Sequence, residues 1–326
     1  MSAASAPSET RAGRCAIIGR PNVGKSTLLN AMLGQKLVIC GAQPGTTRHA
    51  VLGVMQQDAP PTTLTFVDTP GMQRPQNALG QWLHKEAESG LSAVDVVLMV
   101  TDLAGLRSAK TQGANVGHAW GDQGALAAMP EADALVLAAA TRAQRPVVLA
   151  INKVDTLRDK QRLLPLVAAY GQAAPFSAVV PIAARTGEQV EHLVQQLRAH
   201  LPVVHSHGDA TLSDRSERFF AAEYIREAAI AQTRQEVPHG IAVHIEAFTT
   251  APERTHIRAK LIVSKESHKG IVIGQGGQRL KCIGSDARHA IEALLDCRVR
   301  LDLWVSVDPG WDKLPHKVQT HLSGLG

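Results

Sequence analysis

The chain has 326 residues, enough for two hydrophobic cores, because a single core stops growing at a few hundred residues. Hydrophobic residues make up 44%, charged residues 19% and aromatics only 3%, which excludes a disordered chain and any extensive aromatic stacking platform. Lys and Arg (34) exceed Asp and Glu (29) by a net +5, too small to name a partner until its location is known.

Four cysteines, Cys15, Cys40, Cys282 and Cys297, form no C-x-x-C pair and are too sparse for a disulfide framework, which fits a reducing compartment. Residues 1–13 lack the apolar core of a secretory signal and read as a disordered tail. No run of 18 apolar residues occurs, so a soluble, cytoplasmic protein is expected.

In chain order, short apolar runs at 14–19, 63–68, 94–102, 145–155 and 176–184 read as strands of a buried, mostly parallel sheet. Helical patterns fall between and after them at 25–33, 78–89, 131–143, 158–170 and 187–200. That alternation predicts a three-layer α/β domain over 14–200. The glycine- and alanine-rich stretch 104–130 interrupts it and reads as a flexible surface insertion. After a polar connector at 201–213 the grammar changes. A long helix (214–234), strands at 241–248 and 256–263, a glycine-marked helical pair (271–281 and 284–295) and a last strand (298–307) predict a smaller α+β domain over 214–312. Residues 313–326 read as a C-terminal tail. Phe219, Phe220, Tyr224 and Ile225, with Trp304 and Trp311, are assigned to packing.

Gly19, Arg20, Pro21, Asn22, Val23, Gly24, Lys25 and Ser26 match G-x-x-x-x-G-K-[ST] between a strand and a helix, the context a phosphate cradle requires. Backbone N–H groups from Gly19 to Thr27 and the helix dipole face the phosphates, Lys25 adds a point charge, and the Ser26 hydroxyl ligates Mg²⁺. Asp68, Thr69, Pro70 and Gly71 end the strand 63–68, where Asp68 can hold the metal through water and the Gly71 N–H can face the terminal phosphate. In the loop 44–49, Thr47, with Thr46 as the alternative, can reach the metal while a γ-phosphate is bound and release it afterwards. Lys25, Thr47, Asp68 and Gly71 are therefore the expected catalytic set.

Asn152, Lys153, Val154 and Asp155 choose the base. A carboxylate accepts from guanine N1–H and the 2-amino group, whereas adenine would leave it unpaired, so a GTP/GDP site is expected and an ATPase or kinase is disfavoured.

With these elements in order, the first domain resembles the translation-factor class of GTPases, and "GRPNVGKST" with "TTRH" resembles the Era family. "SDRSERFFAAEYIREAA" (213–229), "VIGQGGQRLKCIG" (272–284) and "LDLWVSVDPGW" (301–311) resemble that family's carboxyl-terminal type II KH domain. The resemblance covers about residues 14–312. It implies a bacterial GTPase that binds small-subunit ribosomal RNA near its 3′ end, assists small-subunit assembly, and touches the membrane peripherally; a monomer is expected. It also makes Asn22 a candidate K⁺ ligand.

Three departures stand out. Ala183 replaces the usual serine in the loop before Ala184, so the Ala184 N–H can still face the guanine carbonyl but a hydroxyl bracing Asp155 is missing, which is expected to weaken guanine binding by about 1 kcal/mol. The insertion has no counterpart in the family pattern, and the glycine loop carries no basic residue between its outer glycines. Met72 stands where many regulatory GTPases carry a water-orienting glutamine, and a hydrophobic side chain there agrees with the Era family, so slow hydrolysis is expected, with a nucleotide-gated RNA scaffold of negligible turnover as the alternative.

Gly274, Gln275, Gly276 and Gly277 between two helices fit a KH clamp on about four nucleotides of single-stranded RNA. Basic residues gather nearby: Arg254, Arg258, Lys260, Lys265, Lys269, Arg279 and Lys281 against one acid, Glu266. Lys269, Arg279 and Lys281 are the expected RNA contacts. His200, His205 and His207 lie in or beside a connector without a nearby cysteine and are not read as a metal site.

Overall fold

β1 (Arg11–Gly19) enters the core at Cys15, and its last five residues are buried, so the phosphate motif begins where the strand surfaces. The structure, a computed structural model, describes residues 9–39, 47–103, 131–157, 159, 161, 163–204, 215–233, 237, 240–251 and 254–322. Two compact units divide the chain. One comprises Met1–Val38, Thr47–Arg74 and His84–Asp214; the other comprises Ile39–Thr46, Pro75–Leu83 and Arg215–Gly326.

In the first unit, α1 (Lys25–Leu33) follows β1 directly. Then come β2 (Val51–Asp58), β3 (Pro61–Asp68), α2 (Ala78–Ser89, of which residues 84–89 belong to this unit), β4 (Val96–Asp102), α3 (Glu131–Arg142) and β5 (Val147–Asn152). A 3₁₀ turn (Val154–Thr156), α4 (Leu163–Ala173), β6 (Ala178–Pro181) and α5 (Val190–Arg198) complete it.

The sheet order is β2-β3-β1-β4-β5-β6, parallel throughout except for the antiparallel β2–β3 pair. Ile17 lies opposite Asp68, and Asp102 opposite Asn152, so the motif-bearing ends of β1, β3, β4 and β5 meet at one edge. That carboxyl edge is where open α/β sheets bind ligands. Below it Ile18, Val97, Met99, Leu149 and Ile151 pack against Val136, Ala139 and Ala140 of α3.

Several expectations are corrected here. β1 starts at Arg11, inside the stretch read as a tail, because Arg11 and Ala12 pair with Thr62 and Thr63 and the Arg11 guanidinium donates to the Ala199 and Leu201 carbonyls. β2 was not foreseen; its alternation of buried and half-buried residues carries glycine and two glutamines, which mask the period. β5 ends at Asn152 rather than 155, since Lys153 turns to φ 64° and opens the 3₁₀ turn. Thr46, the stretch 104–130 and most of the connector, His205 and His207 with it, lie outside the described residues.

The second unit runs α6 (Glu217–Thr233), β7 (Ile241–Thr249), β8 (Arg254–Val263), α7 (Glu266–Ile273), α8 (Gln278–Leu295), β9 (Arg298–Val307) and α9 (Pro315–Leu322). β7 and β8 pair antiparallel, β8 and β9 in parallel. Phe219, Phe220, Tyr224 and Ile225 are buried, as is Trp311.

The helical pair breaks at Gly274 rather than after 281: α7 stops at Ile273 and α8 runs unbroken from Gln278. The stretch expected as a C-terminal tail forms α9, with proline in its first turn and Val318 and Leu322 one turn apart, both buried with Trp311, Ala242 and Ile262. Only two buried apolar residues in eight made this helix hard to read from the sequence. Leu79 joins the same cluster, which is why residues 75–83, expected in the first domain, group with the second unit.

Candidate functional site

The phosphate loop is fixed by its own backbone and by its neighbours. The Gly19 carbonyl accepts from the Met72 N–H at 3.0 Å and from Lys25 Nζ at 3.2 Å, and Lys25 Nζ also donates to the Arg20 carbonyl at 3.0 Å. Gly24, at φ 100°, has no room for a Cβ, which would run into the Asn152 amide. Lys25 is 6% exposed, and burial, opposed by the Asp68 carboxylate, lowers its pKa to about 8. Arg20, Pro21, Asn22 and Val23 form the bend; Asn22 holds φ 65° and Val23 is fully buried, while Thr27 continues into α1.

Three oxygens converge beside Lys25. Ser26 Oγ and Thr47 Oγ1 lie 2.9 Å apart, and each reaches Asp68 Oδ2, at 3.1 and 3.3 Å. Asp68 is fully buried; desolvation raises its pKa to about 6, while Lys25, Ser26 and Thr47 pull it down. Its Oδ1 has no hydrogen-bond partner among the described residues. An orphaned buried carboxylate oxygen beside two hydroxyls is a set that fits Mg²⁺, a hard cation that takes oxygen ligands. Among the described residues no three His, Cys, Asp or Glu side chains cluster as a metal cage.

The segment after Asp68 is packed rather than loose. The Thr69 hydroxyl donates to the Ile17 carbonyl at 2.8 Å, Pro70 is buried, and Gly71 lies against the Pro21 backbone. The Met72 side chain is fully buried in the sheet's hydrophobic cluster, so it presents nothing to a water molecule.

The loop at 152–155 is held by its own contacts. Asn152 Nδ2 donates to the Val23 carbonyl at 2.8 Å, and its Oδ1 accepts from the Lys153 N–H at 2.7 Å and the Ala184 N–H at 2.9 Å. The Asn152 amide thus latches the two loops together and receives the Ala184 N–H. Lys153 lays its stem across the loops, with Nζ donating to the Asn22 carbonyl and to Asp102 Oδ2, both at 2.6 Å. Val154 is buried, and its N–H donates to the Ile182 carbonyl. Asp155 Oδ2 receives the Arg185 guanidinium at 3.0 Å, an exposed brace where the missing serine hydroxyl would have acted. Ala183 is fully buried, its N–H bonded to the Glu188 carbonyl.

Sequence reasoning missed Asp102 and Asp133. Asp102 ends β4; Asp133, in the first turn of α3, is fully buried and accepts Arg20 Nε at 2.6 Å. The only available signal was an acid at a strand's carboxyl end and another in a helix's first turn.

In the second unit, Gly274, Gly276 and Gly277 all hold positive φ (72°, 57° and 78°), with Gln275 exposed. Arg279 NH1 donates back to the Ile271 carbonyl at 2.7 Å, tying the start of α8 to the end of α7. Lys269 on α7 and exposed Lys281 on α8 flank the loop. The basic run is divided, however. Arg254, Arg258 and Lys260 lie on β8, on the sheet face their buried neighbours Thr255, Ile257, Ala259 and Leu261 leave open. There Arg258 sits 5.5 Å over the half-buried Trp304 ring, so that tryptophan is a partner to a cation as well as packing.

Residues 14–153 match the family described as 50S ribosome-binding GTPase, and residues 236–312 match the KH domain. GTPase Era of Pseudomonas savastanoi pv. phaseolicola is 41% identical over 304 residues, 93% of each chain, and that of Marinobacter nauticus is 40% identical over 93% of this chain and 92% of its own. A single-residue variant of Aquifex aeolicus Era bound to GDP·AlF4⁻ superposes with a TM-score of 0.84 at 34% identity, covering 96% of this chain and 99% of that one. Era in complex with MgGDPNP and nucleotides 1506–1542 of 16S ribosomal RNA gives 0.85 at 33%, with the same coverage. A GTPase family match over residues 14–153, a KH-domain match over 236–312 and 41% identity across 93% of the chain mean that the chain belongs to the Era family of GTPases.

Proposed function

We propose that this chain binds GTP with Mg²⁺, hydrolyses it slowly, and couples that cycle to binding the 3′ region of small-subunit ribosomal RNA during assembly of the small subunit. The observation that carries the reading is the meeting, at one sheet edge, of buried Lys25, the Ser26–Thr47–Asp68 oxygens and Asp155. Lys25, backbone N–H groups from Gly19 to Thr27, and Gly71 hold the phosphates. Ser26, Thr47 and Asp68 hold the metal, which neutralises charge building on the phosphoryl oxygens. Thr47 reaches Ser26 and Asp68 through its hydroxyl, contacts that can break once the outer phosphate is gone. Asp155 selects guanine, Lys153 covers the base, and Asn22 is the K⁺ candidate.

On the RNA side, Gly274–Gly277 approach the strand by backbone while Lys269, Arg279 and Lys281 meet phosphates. The solved Era complex with 16S ribosomal RNA supports that partner. The protein acts in the cytoplasm as a monomer. A peripheral membrane contact belongs to the same reading; among the described residues no helix is long and apolar enough to cross.

Asp155→Asn tests the site. It should weaken GDP binding at least ~100-fold, because a lost charged acceptor for two donors costs about 3 kcal/mol, and it should gain xanthosine diphosphate, whose 2-oxo group accepts from the new amide. Unchanged purine preference would sink the reading. Burial of Met72 favours a second one, a nucleotide-gated RNA scaffold. Single-turnover assays with radiolabelled GTP and RNA decide: phosphate release no faster than in Lys25→Ala selects the scaffold.

A further inference from the structure

Arg20 belongs to the phosphate loop, yet its side chain, 16% exposed, is committed to carboxylates from other elements. Nε donates to Asp133 Oδ1 at 2.6 Å, and NH2 donates to Asp102 Oδ1 at 3.0 Å, with Thr101 Oγ1 at 3.4 Å. Asp133 in turn receives the Thr101 hydroxyl on Oδ2 at 2.9 Å. Asp102 offers its second oxygen to Lys153 of the base loop, and that ammonium also holds the Asn22 carbonyl. Two cations and two carboxylates therefore close on one another, joining β4, α3, the phosphate loop and the base loop.

The backbone reports what this closure is for. Asn22 and Lys153, which meet through that carbonyl, both stand in the left-handed region, at φ 65° and 64°. Non-glycine residues persist there only where their surroundings hold them. Asp133 is fully buried, where water does not replace Arg20, so loss of that charge-assisted bond would leave a buried carboxylate facing the Thr101 hydroxyl.

We propose that Asp133 and Asp102 are positioning residues for nucleotide binding: Asp133 fixes the phosphate loop through Arg20, and Asp102 ties that loop to the base loop by holding Arg20 and Lys153 together. The proposal rests on the guanine-nucleotide reading of the site. A loop that loses its anchor spends part of its time in conformers that do not bind, and the apparent Kd rises by the inverse of the competent fraction.

The test titrates full-length protein with fluorescent GDP and with competing inosine diphosphate, which lacks the 2-amino group. Asp133→Asn should raise both dissociation constants by about tenfold and leave their ratio unchanged, since only the phosphate arm is loosened. Asp102→Asn should raise both and also shrink the preference for GDP over inosine diphosphate by about threefold, because Lys153 is released as well. In an Arg20→Ala background, Asp133→Asn should add less than about twofold, as expected of two residues acting as one unit. Thr101→Val, which keeps every charge, should give a smaller loss in the same direction and serves if Asp133→Asn does not fold.

A uniform loss of melting temperature with GDP binding within about twofold of wild type in both Asp133→Asn and Thr101→Val would overturn the role of Asp133. Losses of Arg20→Ala and Asp133→Asn that multiply would do the same. An unchanged GDP-to-inosine preference in Asp102→Asn would overturn the bridge. Wild-type protein that fails to bind GDP at all would instead condemn the nucleotide reading beneath the proposal.

Discussion

The molecule carries two glycine-rich loops that each precede a helix, and Gly24 of the first and Gly276 of the second need glycine for different reasons. At Gly24 the space is already full, since a Cβ would meet the Asn152 amide, and the φ of 100° asks for glycine as well. At Gly276 and Gly277 a Cβ would meet nothing within 4 Å, and only the positive φ asks for glycine. The first loop is tied to its surroundings by Asn152, Lys153 and Arg20. The second is crossed by the Arg279 bond to the Ile271 carbonyl. A small, highly charged ligand that must be enclosed calls for a rigid cradle, whereas a polymer that passes through calls for an open edge.

The contrast can be broken from the crowded side first. Gly24→Ala places a methyl against Asn152 in a left-handed backbone, and a strain of about 3 kcal/mol should weaken GDP binding by ~100-fold in a fluorescence titration, with RNA binding untouched. Gly276→Asp should do the reverse and more mildly: GDP affinity stays, while affinity for a single-stranded RNA falls by about tenfold in a filter-binding assay, through lost backbone approach and added negative charge.

The pH dependence comes next in size. Burial holds Lys25 near a pKa of about 8, and bound phosphate raises it again, so GDP affinity should fall by up to about tenfold per pH unit above 8. Over the same range the ligand-free fold should gain stability as pH climbs toward 10.5, because the unfolded chain still binds the proton that the folded site has lost. A flat GDP affinity from about pH 7 to about pH 9 would contradict the buried ammonium.

The smallest effect sharpens the comparison. Ala183→Ser restores a hydroxyl near Asp155, which Arg185 already braces, and should tighten GDP binding by no more than about 1 kcal/mol, roughly fivefold. A larger gain would mean that the exposed Arg185 contact contributes nothing.

Much of the candidate site was legible because the proposed phosphate and base contacts lie in runs of consecutive residues. Gly19 to Ser26, Asp68 to Gly71 and Asn152 to Asp155 each state their own geometry, and the strands that deliver them are apolar runs. What escaped reading depends on partners far along the chain. Arg20 and Asp133 are 113 positions apart, and nothing local marks either as half of a pair. Asn152 was assigned to the base, and only the neighbouring Val23 carbonyl and Ala184 N–H reveal that its amide is already engaged. β2 and α9 were missed for a related reason: a polar antiparallel strand and a helix with two buried residues are made by what they lean on, β3 and Trp311, rather than by their own composition.

Met72 lies wholly in the core just after the sensor segment, its amide locked to Gly19. A side chain sealed in that way cannot also steer a water, so in the proposed cycle that task falls to a group other than Met72.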